Sequence, residues 1–240
     1  MRLSPRGLWW LKAGLHLACL LPIIYLVYIV ATDQAGGDPV QLIIHYTGMG
    51  TINSLLATML VSPLAKWLKQ SLLVRTRRLL GLYVFAYASL HIAAFLSLDL
   101  LFEWQLLLQE VVKRPYILVG AIAFVILLLL ALTSFEAVKR KMGKSWLTLH
   151  RFIYFAAILA PVHFYWSVKS EIIEPGIYLL VFAVLLWLRR AQIVQWLKPS
   201  RAGKAQANKG RSGGAANHAV KAATNKATAV TTKSSGKAIS

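Results

Sequence analysis

Six histidines are spread along the 240 residues. Five of them, His16, His45, His91, His150 and His163, fall in or at the ends of stretches that are otherwise apolar, and His218 lies in a polar C-terminal segment. A charge at the centre of a bilayer costs roughly 3 kcal/mol or more, so an ionisable side chain in such a stretch calls for a use. Imidazole can enter neutral, and it is the usual protein ligand where haem iron takes axial nitrogens. Another metal site would need carboxylates or thiolates to complete it, and the apolar stretches hold almost none. A proton relay fails on the same lack. Cys19 is the single cysteine, which excludes disulfides, cysteine-rich zinc sites and thiolate-bound iron–sulfur clusters and leaves it a packing role. Axial ligation of b-type haem is the chemistry these residues point to.

The elements that must position them are membrane helices. With 58% hydrophobic residues and a mean hydropathy of +0.59, the chain is too apolar for a soluble domain. Six runs have the character of spans: 9–30, 42–61, 79–98, 116–135, 147–168 and 176–188. The expected fold class is all-α, a polytopic bundle of six transmembrane helices. The first run follows Arg2, Arg6 and Lys12 but is too long for a signal peptide and lacks a convincing small-residue cleavage site. The formal net charge of +19 is uneven. Lys66, Lys69, Arg75, Arg77 and Arg78, then Lys139 to Lys144, then Arg189, Arg190 and Lys198 fall on the same side as the N-terminal cations. The other side carries Asp33, Asp38, Asp99, Glu103, Glu110, Glu171 and Glu174 against Lys113, Arg114 and Lys169. An excess of Lys and Arg marks cytoplasmic loops, so both termini are expected in the cytoplasm of a cell with an inner membrane.

Depth decides which histidines can share an iron. At 1.5 Å per residue, His91 lies ~18 Å from the basic end of its span, His163 ~24 Å and His150 only ~5 Å. His91 and His163 therefore pair best, in the periplasmic half, with a mismatch of about 6 Å that helix tilt absorbs. His150 suits a second haem nearer the cytoplasm, but the position facing it on span three is Arg77. Thirteen residues also turn His150 and His163 roughly 140° apart on an ideal helix, a phase that Pro161 can alter by kinking. His16 and His45 stand as additional haem positions or as polar anchors.

The Ser62-Pro63 pair is expected to end the second span. Leu100 to Val112 reads as a short interfacial helix, and Arg114-Pro115 starts span four. Arg75, Arg77 and Arg78 form a cationic group suited to haem propionates, a flavin phosphate or anionic lipid. From Pro199 onward the chain is Ala, Lys, Gly, Ser, Thr and Asn without acidic or aromatic residues, so 1–198 reads as the membrane domain and 199–240 as a basic, disordered tail. The tail has no dinucleotide-binding glycine motif, and Gly48-Met49-Gly50 lacks a third glycine, so electrons must come from outside the chain. No nucleic-acid partner is expected.

Taken together, Arg75-Thr76-Arg77-Arg78-Leu79-Leu80-Gly81-Leu82-Tyr83 leading to Leu90-His91, Arg114-Pro115-Tyr116, and Leu149-His150 through Ala160-Pro161-Val162-His163 to Trp166-Ser167-Val168-Lys169 resemble the MsrQ (YedZ) family. That family lies within the ferric-reductase-like transmembrane superfamily, and the resemblance covers roughly residues 1–198. It implies the haem-binding membrane subunit of a bacterial periplasmic methionine sulfoxide reductase system. Electrons from the quinone pool or a cytoplasmic flavin reductase would pass through haem b, with or without FMN, to the periplasmic molybdopterin subunit MsrP, which repairs oxidised methionines. The family's haem-ligand positions match His91, His150 and His163. Arg77 stands where the wider superfamily has a fourth histidine, and the tail exceeds what the family requires. Two other functions fit the composition: a stand-alone ferric or cupric reductase, and a non-redox anchor or transporter.

Overall fold

A computed structural model of the chain describes residues 4–168 and 172–197. The tail expected from 199 to 240, with His218, lies outside the described residues, as do Lys169 and Glu171. Among the described residues every regular element is helical. The chain divides into Met1–Arg189 and Arg190–Ser240. The second unit contributes one described helix, α10 (Arg190–Leu197).

In the first unit α1 (Pro5–Ala31) begins behind a Ser4 cap, with the Gly7 N–H donating to Ser4 Oγ at 3.1 Å. α2 (Pro39–Trp67) begins in the same way behind Asp38, whose carboxylate accepts from the Gln41 N–H at 2.9 Å. Both place proline where the helix has no use for its missing N–H. A 3-10 turn (Ser71–Thr76) leads into α3 (Arg77–Ala94), which ends in one wide π-turn (Phe95–Asp99). Next come α4 (Trp104–Lys113), α5 (Pro115–Leu132), α6 (Glu136–Met142), α7 (Lys144–His150), α8 (Ile153–Ser167) and α9 (Ile173–Leu188). Five runs are long and apolar enough to cross a bilayer: α1, α2, Ser71–Asp99, α5 and Lys144–Ser167. α9 has 16 residues and is about 24 Å long, short of a ~30 Å hydrocarbon core.

α2 runs antiparallel along α3, and α5 along α8. The core they share with α9 contains Leu55, Met59, Val84, Ala156, Ala157 and Phe182, all at most 1% exposed. Lipid is as apolar as leucine, so close approach of backbones at small residues holds such helices together. Gly50 shows this: a Cβ there would lie 2.2 Å from the Tyr87 ring. Tyr87 in turn donates its hydroxyl to the Cys19 carbonyl at 2.7 Å and ties α1 to the pair. α1 otherwise turns Leu17, Leu21, Ile24 and Val27 outward.

Two expectations need correcting. Ser62-Pro63 does not end the second span, because α2 continues through Pro63 to Trp67. Proline at 63 removes the N–H that would bond the Met59 carbonyl one turn back. That carbonyl accepts instead from Nη2 of Arg189, so the helix carries on. The interfacial helix starts later than expected, at Trp104. Trp104, Leu108 and Val112 recur along one outward face of α4, and Arg114 closes the helix on Glu110 at 2.7 Å. This face suits the membrane surface.

Candidate functional site

α3 and α8 bring His91 and His163 together near the less basic end of the bundle. Their ring centroids lie 6.3 Å apart with planes at 82°. Each ring is held in the same way. Nδ1–H of His91 donates to the Ile44 carbonyl of α2 at 2.8 Å, and Nδ1–H of His163 donates to the Tyr116 carbonyl of α5 at 2.7 Å. A carbonyl only accepts, so the proton sits on Nδ1 and the Nε2 lone pair is left free. Four residues after each acceptor stands a glycine. A Cβ on Gly48 would approach His91 Nδ1 to 3.2 Å, and one on Gly120 would approach His163 Nδ1 to 2.8 Å. Both histidines follow their acceptors by 47 residues. The site is thus two copies of one device, a helix pair in which a carbonyl and a glycine receive an imidazole.

The donor set fits an iron between the rings. With metal–nitrogen bonds of about 2.0–2.1 Å on each side, two opposed imidazoles have centroids roughly 6 Å apart, close to the separation observed. Among the described residues no group of three or more His, Cys, Asp or Glu could hold a metal. Two imidazoles alone would suit an iron whose other ligands come from a macrocycle.

The other histidines are elsewhere. His150 ends α7, stacks on Trp146 at 4.0 Å between centroids, and has Nε2 3.1 Å from Thr133 Oγ1. The Thr133 hydroxyl donates to the Leu129 carbonyl at 2.6 Å, so His150 Nε2 is the donor and its Nδ1 keeps the lone pair. His150 and His163 do not share one unbroken helix. Residues 151, 152, 154 and 155 bond three residues back, as in a 3-10 turn. Each such residue advances by about 120° instead of 100°, which shifts the phase of the two histidines. His45 is exposed and 6.1 Å from the Phe164 ring, beside the paired histidines and not between them.

His16 bonds Tyr83 Oη through Nδ1 at 2.8 Å. The two line a groove of about 450 Å³ between α1 and α3, with Lys12, Arg75 and Arg78 at its basic mouth. Arg78 also pairs with Glu136 at 3.1 Å. Arg77 diverges from its neighbours and lies within electrostatic reach of His150, Tyr154 and Arg189. The three arginines therefore serve two places. Sequence reasoning missed Gly48, Gly120 and Arg189; the glycines' spacing from their acceptors is visible only once those acceptors are known.

Comparison with known proteins bears on this arrangement. Residues 40–161 match the family model of the ferric reductase like transmembrane component. That match includes His45, His91 and His150. Over 197 residues the chain is 49% identical to the protein-methionine-sulfoxide reductase heme-binding subunit MsrQ of Cronobacter sakazakii (strain ATCC BAA-894), covering 82% of this chain and 98% of that relative. The chain belongs to the MsrQ family. As a member of it, with five apolar helices of crossing length, it is a multi-pass protein of the inner membrane.

Proposed function

We propose that this MsrQ-family chain is a haem b subunit that carries electrons across the inner membrane to a periplasmic molybdopterin methionine sulfoxide reductase of the MsrP kind. The observation that supports it best is the pair of imidazoles fixed through Nδ1, each with its Nε2 lone pair free, in rings whose centroids lie 6.3 Å apart. His91 and His163 would hold the iron of one haem, and His150 would hold a second nearer the basic end. Bound haem supplies reversible one-electron chemistry. The Ile44 and Tyr116 carbonyls keep both rings from turning and raise the basicity of Nε2. His16 and His45 do not ligate iron. By the excess of cations on one side, both termini are cytoplasmic, and α9 crosses as the sixth span by tilting little and thinning the bilayer around it.

Electrons enter from the quinone pool or a flavin reductase. The groove of His16 and Tyr83, with cations at its mouth, would take a quinol head group or an FMN. Residues 1–198 make up the haem-binding domain, and 199–240 add a basic extension that anionic lipid would attract. The test is electron delivery. Chemically reduced full-length protein in nanodiscs is expected to reoxidise when the molybdoenzyme and methionine sulfoxide are added together, and with neither alone. Rapid reoxidation by ferric chelates, with none by the molybdoenzyme, would favour a stand-alone metal reductase.

A further inference from the structure

Arg189 mends the break at Pro63 with a single hydrogen bond to Met59, and the rest of its buried guanidinium has no counter-charge. It is 3% exposed at the end of α9. Its Nη2 donates to the Met59 carbonyl, and its guanidinium carbon lies 6.0 Å from the Tyr154 ring centroid. Neither satisfies the N–H of Nε or the two of Nη1, which are buried without a partner. Arg77, a second cation, stands within electrostatic reach. A buried guanidinium that feels a second cation stays poorly solvated unless an anion joins it.

The described residues offer no anion here. Of the chain's eight acidic residues, only Glu136 lies on the basic side, and Glu136 is engaged by Arg78 at 3.1 Å and Lys139 at 3.8 Å. Among the described residues no carboxylate pairs with Arg77 or Arg189. The counter-ion therefore comes from outside the polypeptide, and it is an oxyanion, because the free edge of a guanidinium matches a carboxylate or a phosphate.

We infer that Arg189 and Arg77 form an internal oxyanion site whose occupant is a propionate carboxylate of the porphyrin ligated by His150. This rests on the haem reading above. The site's place favours the porphyrin: Arg189 lies 6.0 Å from the ring of Tyr154, four residues past His150, the Arg77 charge acts on His150, and Arg189 is anchored to the inside of the bundle by Met59, away from the groove lined by Lys12, Arg75 and Arg78. Met59 is itself 0% exposed, so a lipid headgroup would have to leave the membrane surface to reach it.

The experiment compares wild type, Arg189→Gln, Arg189→Lys and His150→Ala as full-length holoprotein in nanodiscs. It measures haem per chain, optical redox titrations, and released FMN and phospholipid phosphorus. Loss of a cation beside a haem disfavours the reduced form. Arg189→Gln is therefore expected to lower the reduction equilibrium constant of the His150-dependent haem about tenfold, a fall of 59 mV for one electron, or to release that haem. Arg189→Lys should recover most of the loss, and the haem of His91 and His163 should remain as an internal sign of folding. FMN and bound phosphorus should not change.

Unchanged haem count and potentials in Arg189→Gln overturn the inference while leaving the haem reading intact. So does loss of FMN or phospholipid with both haems unaffected, which would make the occupant a phosphate. A single haem in wild type that His150→Ala does not disturb also overturns it. A wild type with no haem at all instead removes the function proposed above.

Discussion

At the scale of single residues, each paired imidazole is committed through one nitrogen and free through the other, and a missing side chain makes the room. A methyl added at 120 would come 2.8 Å from His163 Cε1 and Nδ1, nearer than real Cβ contacts allow, while one added at 48 would meet His91 at 3.2 Å. Gly120→Ala must push its ring away from the Tyr116 carbonyl; Gly48→Ala asks for a few tenths of an ångström. Pigment per purified chain should therefore fall by more than half in Gly120→Ala and stay near wild type in Gly48→Ala, and equal values would speak against the cradle. The histidines were legible in the sequence because a polar ring in an apolar run stands out. The glycines were not, since glycine is common in membrane helices for many reasons. Arg189 was read as one more orienting cation at the end of a span, and nothing in its neighbours signals that its side chain turns inward.

Helices and their joints account for what periodicity alone misjudged. Proline at 63 reads as a stop only while its orphaned acceptor has no other donor. Arg189, 130 residues away in the chain, supplies one, and no local pattern could show it. The turn at 151–155 likewise shifts the phase of His150 against His163 by tightening the backbone, a joint that the sequence does not mark as Pro161 marks a kink. α1 is the most loosely attached of the long helices, and Tyr87 is one of its few polar ties. Tyr87→Phe removes the hydrogen bond to the Cys19 carbonyl at a cost of about 1 kcal/mol. Maleimide labelling of Cys19 is expected to quicken about fivefold, while pigment content stays unchanged because phenylalanine keeps the ring that packs on Gly50 and neither paired histidine lies on α1. No change in labelling would mean that α1 is held elsewhere.

Seen whole, the bundle repeats one construction, α2 with α3 and α5 with α8, each offering a glycine and a carbonyl to a histidine that follows the carbonyl by 47 residues. The sequence carries no visible repeat at that distance, because only the receiving geometry recurs. Membrane class, helical fold and most span limits were plain from hydropathy and charge. Sidedness is testable in a Cys19→Ser background: an impermeant maleimide added to spheroplasts should label Gln34→Cys and spare Ser134→Cys, and the opposite pattern would invert the direction of electron flow. Electron transfer through this bundle requires two imidazoles meeting across one iron. The most direct measurement is the b-type absorption of purified, reduced protein, calibrated as pyridine haemochrome, for His91→Ala and His163→Ala beside His45→Ala. Loss of the same fraction of haem in the first two, with His45→Ala at the wild-type level, is the predicted result; full haem in either of the first two would contradict it.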